Sequence, residues 1–151
     1  MKKKNNELIK STILTFIQYV TLAIIMYRST WISTNITLMI IQIIGFTIAA
    51  WAILEMRKTK MNIAPTPRKN GVLVTSGPYR LVRHPMYLSL ILGLSPAMIS
   101  YYNQTTIIIF TIFLVNLIFK MLFEEGLLKK FFGDDYKNYM KHSWRLFPYI
   151  F

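Results

Sequence analysis

The hydrophobic positions of this chain gather into four long runs, not into short alternating stretches or heptads. The runs cover residues 11–27, 36–54, 86–102 and 106–123, each near the roughly 17–25 residues a helix needs to cross a bilayer core. They predict four transmembrane helices. The first run contains Gln18 and several threonines, and the third contains Gly93 and Pro96, which membrane helices tolerate when neighbours satisfy the backbone. Beyond the fourth run the pattern changes. Leu127, Leu128, Phe131, Phe132, Tyr136, Tyr139 and Met140 recur at three- and four-residue spacing among charges, which predicts an amphipathic helical segment over 124–151. Gly133 interrupts it, and Asp134 or Asp135 is positioned to cap a second short helix. Ala64-Pro65-Thr66-Pro67 marks an extended loop.

The polar positions between the runs orient them. Of 18 basic residues only Arg28 falls in the two connections on one side of the predicted membrane; the rest lie before the first run, between the second and third, or from Lys120 onward. The positive-inside rule then puts both termini and the 55–85 loop in the cytoplasm. The short opposite-side connections predict two helical hairpins. The expected fold is therefore an all-α integral membrane domain of about four spans, running from residue 1 to 151.

Composition agrees: 54% of residues are hydrophobic, 16% are charged and mean hydropathy is positive. The net charge of +12 is explained by flanking anionic lipid and by topology, with no need of nucleic acid. The first apolar run follows Met-Lys-Lys-Lys but is long, holds Lys10 at its edge and has no small-x-small cleavage site, so it is expected to be a retained anchor. With no cysteine, two distant histidines and six acids, neither a thiol nucleophile nor a metal centre is expected. The few polar residues inside the runs, Gln18, Gln42 and Asn116, make a poor translocation path. The absence of βαβ alternation excludes a Rossmann-type domain.

Chemistry concentrates in residues 71–87, Gly-Val-Leu-Val-Thr-Ser-Gly-Pro-Tyr-Arg-Leu-Val-Arg-His-Pro-Met-Tyr. Tyr79, Arg80, Arg83, His84 and Tyr87 lie there beside two glycines and two prolines that set a non-helical backbone. Singly, each has a bland reading: the tyrosines as an aromatic belt, the arginines as anchors, His84 as an interfacial cap. Together with a fixed Gly77-Pro78 turn they describe a pocket. Gly71 to Val74 reads either as a strand-like piece packed on the bundle or as open backbone meeting a ligand. Glu124 and Glu125, adjacent at the end of the fourth run, are either solvated and paired with Lys120 one turn back, or carboxylates that grip a ligand's amine or hydroxyls.

The pattern Val-Thr-Ser-Gly-Pro-Tyr-x-x-x-Arg-His-Pro-x-Tyr, followed after a span by Glu-Glu-x-x-Leu-x-x-x-Phe-Gly-x-x-Tyr-x-x-Tyr, resembles the isoprenylcysteine carboxyl methyltransferase family, and the related phospholipid methyltransferases share much of it. The likeness runs over roughly residues 36–151. It implies a membrane methyltransferase that uses S-adenosylmethionine, held in a cytoplasmic pocket closed by the C-terminal segment, and a lipophilic carboxylate acceptor entering from the bilayer. It implies that Gly71, Val72, Leu73, Val74, Tyr79, His84, Pro85, Met86, Tyr87 and Glu124 contact the cofactor. It implies positioning roles for His84, Tyr87 and Glu125. Lys120 stands where the family has a substrate-binding arginine, and keeps the charge without the bidentate fork. Ser89 stands where the family usually has glycine. Transfer to an amine of a phospholipid, with Glu125 or His84 taking its proton, and a non-catalytic membrane subunit of the same fold are the alternatives.

Overall fold

The computed structural model describes residues 2–29, 32–58 and 72–150, with side chains from residue 5 onward. Five α-helices follow in order: α1 (Lys2–Arg28), α2 (Ile36–Lys58), α3 (Pro85–Ser100), α4 (Gln104–Phe132) and α5 (Asp134–Lys141). A single 3-10 turn, Gly77–Arg80, precedes α3. α1 from Asn5, α2 and α4 are each long and apolar enough to cross a membrane; α3 is apolar but shorter, at 16 residues. The protein is an all-helical integral membrane protein.

Two expectations about boundaries change. The fourth helix does not stop at residue 123. Gly126 is the one weak helix former between Phe123 and Phe132 and is tolerated, so α4 runs on to Gly133, whose φ of 58° ends it. At 29 residues α4 is about 43 Å long, more than the ~30 Å hydrocarbon core, so its last turns project beyond it. The amphipathic segment is thus the end of α4 plus α5. Asp134 and Asp135 lie in the first turn of α5, where they complement the helix dipole, and neither makes a side-chain cap bond.

Packing runs more between the two hairpins than within them. α2 packs along α3 and α1 along α4, while α1 and α2 scarcely touch. Small and polar residues decide this, as expected where lipid competes equally for apolar surface. Gly45 lets α2 and α3 meet backbone to backbone: a Cβ there would lie 2.7 Å from Gly93 N. Gln42 donates to Gly93 O at 3.1 Å and accepts from Ser33 N at 3.3 Å. Asn116 of α4 donates to Leu14 O of α1, and Lys120 donates to Gln18 Oε1. Gln18, Gln42 and Asn116, the amide side chains inside the predicted spans, therefore each serve an interhelical bond. The core between α3 and α4 is apolar, built from Leu88, Met98, Phe113, Leu117 and Met121.

Candidate active site

The irregular stretch before α3 is fixed at both ends. Gly77 has a φ of 58°, a conformation that L side chains rarely adopt, and a Cβ there would come within 2.5 Å of Glu55 Cγ. Ser76 Oγ donates to Glu55 Oε2 at 2.8 Å, which docks the turn on the end of α2. Pro78 opens the 3-10 turn and Pro85 opens α3 with His84 at its N-cap, so both prolines sit where a missing N–H costs little.

The C-terminal residues are stitched onto this stretch. Trp144 N donates to Leu81 O at 3.0 Å, Arg83 N to Trp144 O at 2.7 Å and His84 N to Arg145 O at 3.1 Å. Behind them lies a buried ion cluster. Glu125, 2% exposed, accepts from Arg83 Nε at 3.0 Å and from Arg145 Nε at 3.1 Å. Arg83 Nη1 also donates to the carbonyls of Ser143 and Met140. One carboxylate bound by the Nε atoms of two guanidiniums, with Nη1 of Arg83 donating to backbone besides, is a well-bonded network.

In front of this cluster is a cavity of about 370 Å³. The 73–90 region contributes Leu73, Val74, Tyr79, Arg83, His84, Pro85, Met86, Tyr87, Ser89 and Leu90. α4 contributes Lys120, Glu124 and Leu128; α5 contributes Tyr136 and Tyr139. α1 adds Gln18, Tyr19 and Leu22, and α2 adds Ala49, Ile53 and Met56. Tyr87 donates from its hydroxyl to Glu124 Oε2 at 2.7 Å, and its ring stacks on His84 at 5.4 Å between centroids. His84 sits between the two carboxylates, Nδ1 3.8 Å from Glu124 Oε2 and Nε2 3.6 Å from Glu125 Oε1. Tyr139 donates to the Tyr79 carbonyl at 2.5 Å, closing the wall with α5. Burial pushes the hydroxyls of Tyr79, Tyr136 and Tyr139 up from their ordinary values, so all three remain protonated donors at neutral pH.

The residues singled out in the sequence divide accordingly. Leu73, Val74, Tyr79, His84, Pro85, Met86, Tyr87, Lys120 and Glu124 line this one cavity. Val72 is 60% exposed and borders an open cleft on the other side of Leu73 and Tyr139. Gly71 lies outside the described residues. Glu125 is held behind the cavity by its two arginines, and Arg80 faces the open cleft. Ser89 bonds the Met86 carbonyl at 2.7 Å. Gln18, Glu55, Ser143 and Arg145 were not legible as site residues. Arg145 stands twenty positions from its partner, and only the chain reversal at Gly133 brings them together.

The cavity contains the means to hold a polar, positively charged molecule with an aromatic or apolar portion. Glu124 supplies the negative charge and Tyr87 orients it. Among the described residues the backbone of Val72 to Thr75 enters no hydrogen bond, although Val74 is buried, and the side chains of His84 and Tyr136 keep buried polar atoms without a bonding partner.

A family model described as phospholipid methyltransferase matches residues 33–135. The chain belongs to the phospholipid methyltransferase family. The match spans α2 to the start of α5 and includes the cavity residues from Leu73 to Leu128, while Gln18, Tyr136 and Tyr139 lie outside it. Two curated relatives, probable protein-S-isoprenylcysteine O-methyltransferases of Oryza sativa subsp. indica and subsp. japonica, are each 32% identical over 79 residues. That alignment takes in 52% of this chain and 41% of either relative, so the chain matches well under half of their length. Among solved structures, the eukaryotic intramembrane Ras methyltransferase, an isoprenylcysteine carboxyl methyltransferase, superposes over 99% of this chain and 53% of its own, with a TM-score of 0.63 at 23% identity. The likeness extends the shared fold to α1, which the family model leaves out.

Proposed function

We propose that the protein is a membrane methyltransferase that uses S-adenosylmethionine and methylates an amphiphile reaching the cavity from the bilayer. The observation that carries this is the 370 Å³ cavity in which both halves of the sequence motif meet, with Tyr87 and His84 set against Glu124. When bound, S-adenosylmethionine supplies a methyl group on a sulfonium; its transfer breaks a C–S bond, whose electron pair stays on sulfur, and forms a C–O or C–N bond.

The residues divide that work. Glu124 is the counter-charge for a cationic donor, and its bond from Tyr87 fixes where the charge sits. Leu73 and Val74 offer unbonded backbone to a base or ribose. Pro85, Met86 and the three tyrosines exclude water, which strips hydration from the nucleophile and raises the value of every charge in the cavity. α1 and α2 line the cavity but scarcely touch each other, which supports approach of the acceptor between them. The basic loops orient this end of the bundle to the cytoplasm by the positive-inside rule.

A carboxylate acceptor needs no base, so positioning and desolvation suffice for it. An amine acceptor must lose a proton, and His84 is the cavity residue suited to take it, because Glu125 is occupied by Arg83 and Arg145. The family description favours a phospholipid and the curated relatives' names favour a prenylated cysteine. The test of the common reading is calorimetric titration of detergent-purified protein with S-adenosylhomocysteine. We expect micromolar binding that is abolished in Glu124→Ala; no binding to folded wild-type protein would refute the reading and leave a non-catalytic membrane subunit.

A further inference from the structure

The motif residues account for one side of the cavity. The opposite side is built by α1, which lies outside the family match and holds one buried polar side chain in the cavity, Gln18. Gln18 is 8% exposed and so is Lys120, to which its amide oxygen is bonded. An ammonium group has three N–H donors. Among the described residues Gln18 is the hydrogen-bond acceptor for Lys120, whose Nζ also lies 6.0 Å over the Tyr87 ring and is attracted by the Glu124 carboxylate. Two donors therefore remain for the cavity that Lys120 lines. A cation held at membrane depth with unused donors is costly unless an anion or dipole meets it. Glu124, one turn on, attracts Lys120 while its hydrogen bond comes from Tyr87, and the guanidinium of Arg83 is spent on Glu125 and two carbonyls.

We propose that Gln18 is a positioning residue: it aims Lys120, which stands at the position the family resemblance gives to substrate binding, into the cavity and at the anionic headgroup of the acceptor. α1 is then part of the catalytic unit and more than an anchor. The inference deepens the methyltransferase reading and rests on it for the word acceptor. This arrangement separates the charges of the two reactants, with the cationic donor beside Glu124 and the anion beside Lys120. The shared chemistry has two sources. The anion is either the carboxylate that becomes methylated or the phosphate of a phospholipid whose amine is the nucleophile.

The test is binding of paired amphiphiles to the full chain in nonionic detergent. One pair is N-acetyl-S-farnesylcysteine and its methyl ester; the other is dioleoyl phosphatidic acid and dioleoylglycerol. We expect wild-type protein to prefer the anionic member of at least one pair by on the order of tenfold, the scale of one charge-assisted hydrogen bond. A preference in the first pair assigns the carboxylate, and one in the second assigns the phosphate. The preference should vanish in Lys120→Met and in Gln18→Leu, and persist in Lys120→Arg. Gln18→Glu keeps the side chain's length but pairs the charge of Lys120, so it should abolish the preference as well, and it serves if the leucine variant does not fold. Equal binding of both members by wild type, or a preference that survives in Gln18→Leu or Gln18→Glu, overturns the proposal. S-adenosylhomocysteine affinity is measured on the same wild-type sample. If wild type itself fails to bind it, the methyltransferase reading falls, while the headgroup comparison still decides the roles of Gln18 and Lys120.

Discussion

Glu124 and Glu125 are neighbours in sequence and belong to different parts of the molecule. Glu124 lines the cavity, held by one tyrosine hydroxyl and facing His84. Glu125 points behind it, almost fully buried, and binds two arginines that tie the turn before α3 to the C-terminal residues. Consecutive residues on a helix are about 100° apart, so one carboxylate faces the ligand space and the next faces the scaffold. On the proposed reading this acidic pair is two devices, one for binding and one for assembly, and we expect the first to tolerate loss of charge without loss of fold and the second not to.

The sharpest break of this comparison is Glu125→Ala. It strands Arg83 and Arg145, and removing one member of a buried ion cluster costs about 3–5 kcal/mol. We expect a large fall in thermal unfolding temperature in detergent, with the C-terminal segment released to protease. Glu124→Ala should unfold near the wild-type temperature and lose S-adenosylhomocysteine binding, read by calorimetry; a loss of stability equal to that of Glu125→Ala would erase the distinction. Gly77→Ala forces a side chain into a left-handed position against Glu55, at a cost of roughly 1–3 kcal/mol. It should lower both stability and ligand affinity, because the turn carries Tyr79. Tyr139→Phe removes one hydrogen bond to the Tyr79 carbonyl, worth about 0.5–1.5 kcal/mol, and should weaken ligand binding several-fold with little change in unfolding. Asp134→Ala breaks an exposed pair with Lys137 and should change neither measurement.

Much of this was readable from residue types. The apolar runs found the helices because a bilayer demands length and apolarity over each span. The 71–87 stretch suggested a pocket because its polar and aromatic groups, each open to a bland reading singly, gather around a fixed turn; the acidic pair alone read equally as solvated or paired with Lys120. What escaped was set by distance in space. Arg145 looked like one more basic anchor until the reversal at Gly133 returned it to Glu125. Gln18 looked like a weakness in the first span, and its meaning depends on α1 packing against α4 rather than α2. Hydropathy falls at residue 124, which bounded the expected span, while the helix itself continues, because Glu, Leu and Lys are good helix formers and a single Gly126 is tolerated.

The most direct test of the division between the two carboxylates is thermal unfolding of wild type, Glu124→Ala and Glu125→Gln in detergent, each with and without saturating S-adenosylhomocysteine. A ligand that binds only the folded state raises the unfolding temperature. The account predicts a clear rise for wild type, none for a Glu124→Ala protein that unfolds at the wild-type temperature on its own, and a lowered starting temperature with a retained rise for Glu125→Gln. A Glu124→Ala protein that the ligand stabilises as fully as wild type would contradict it.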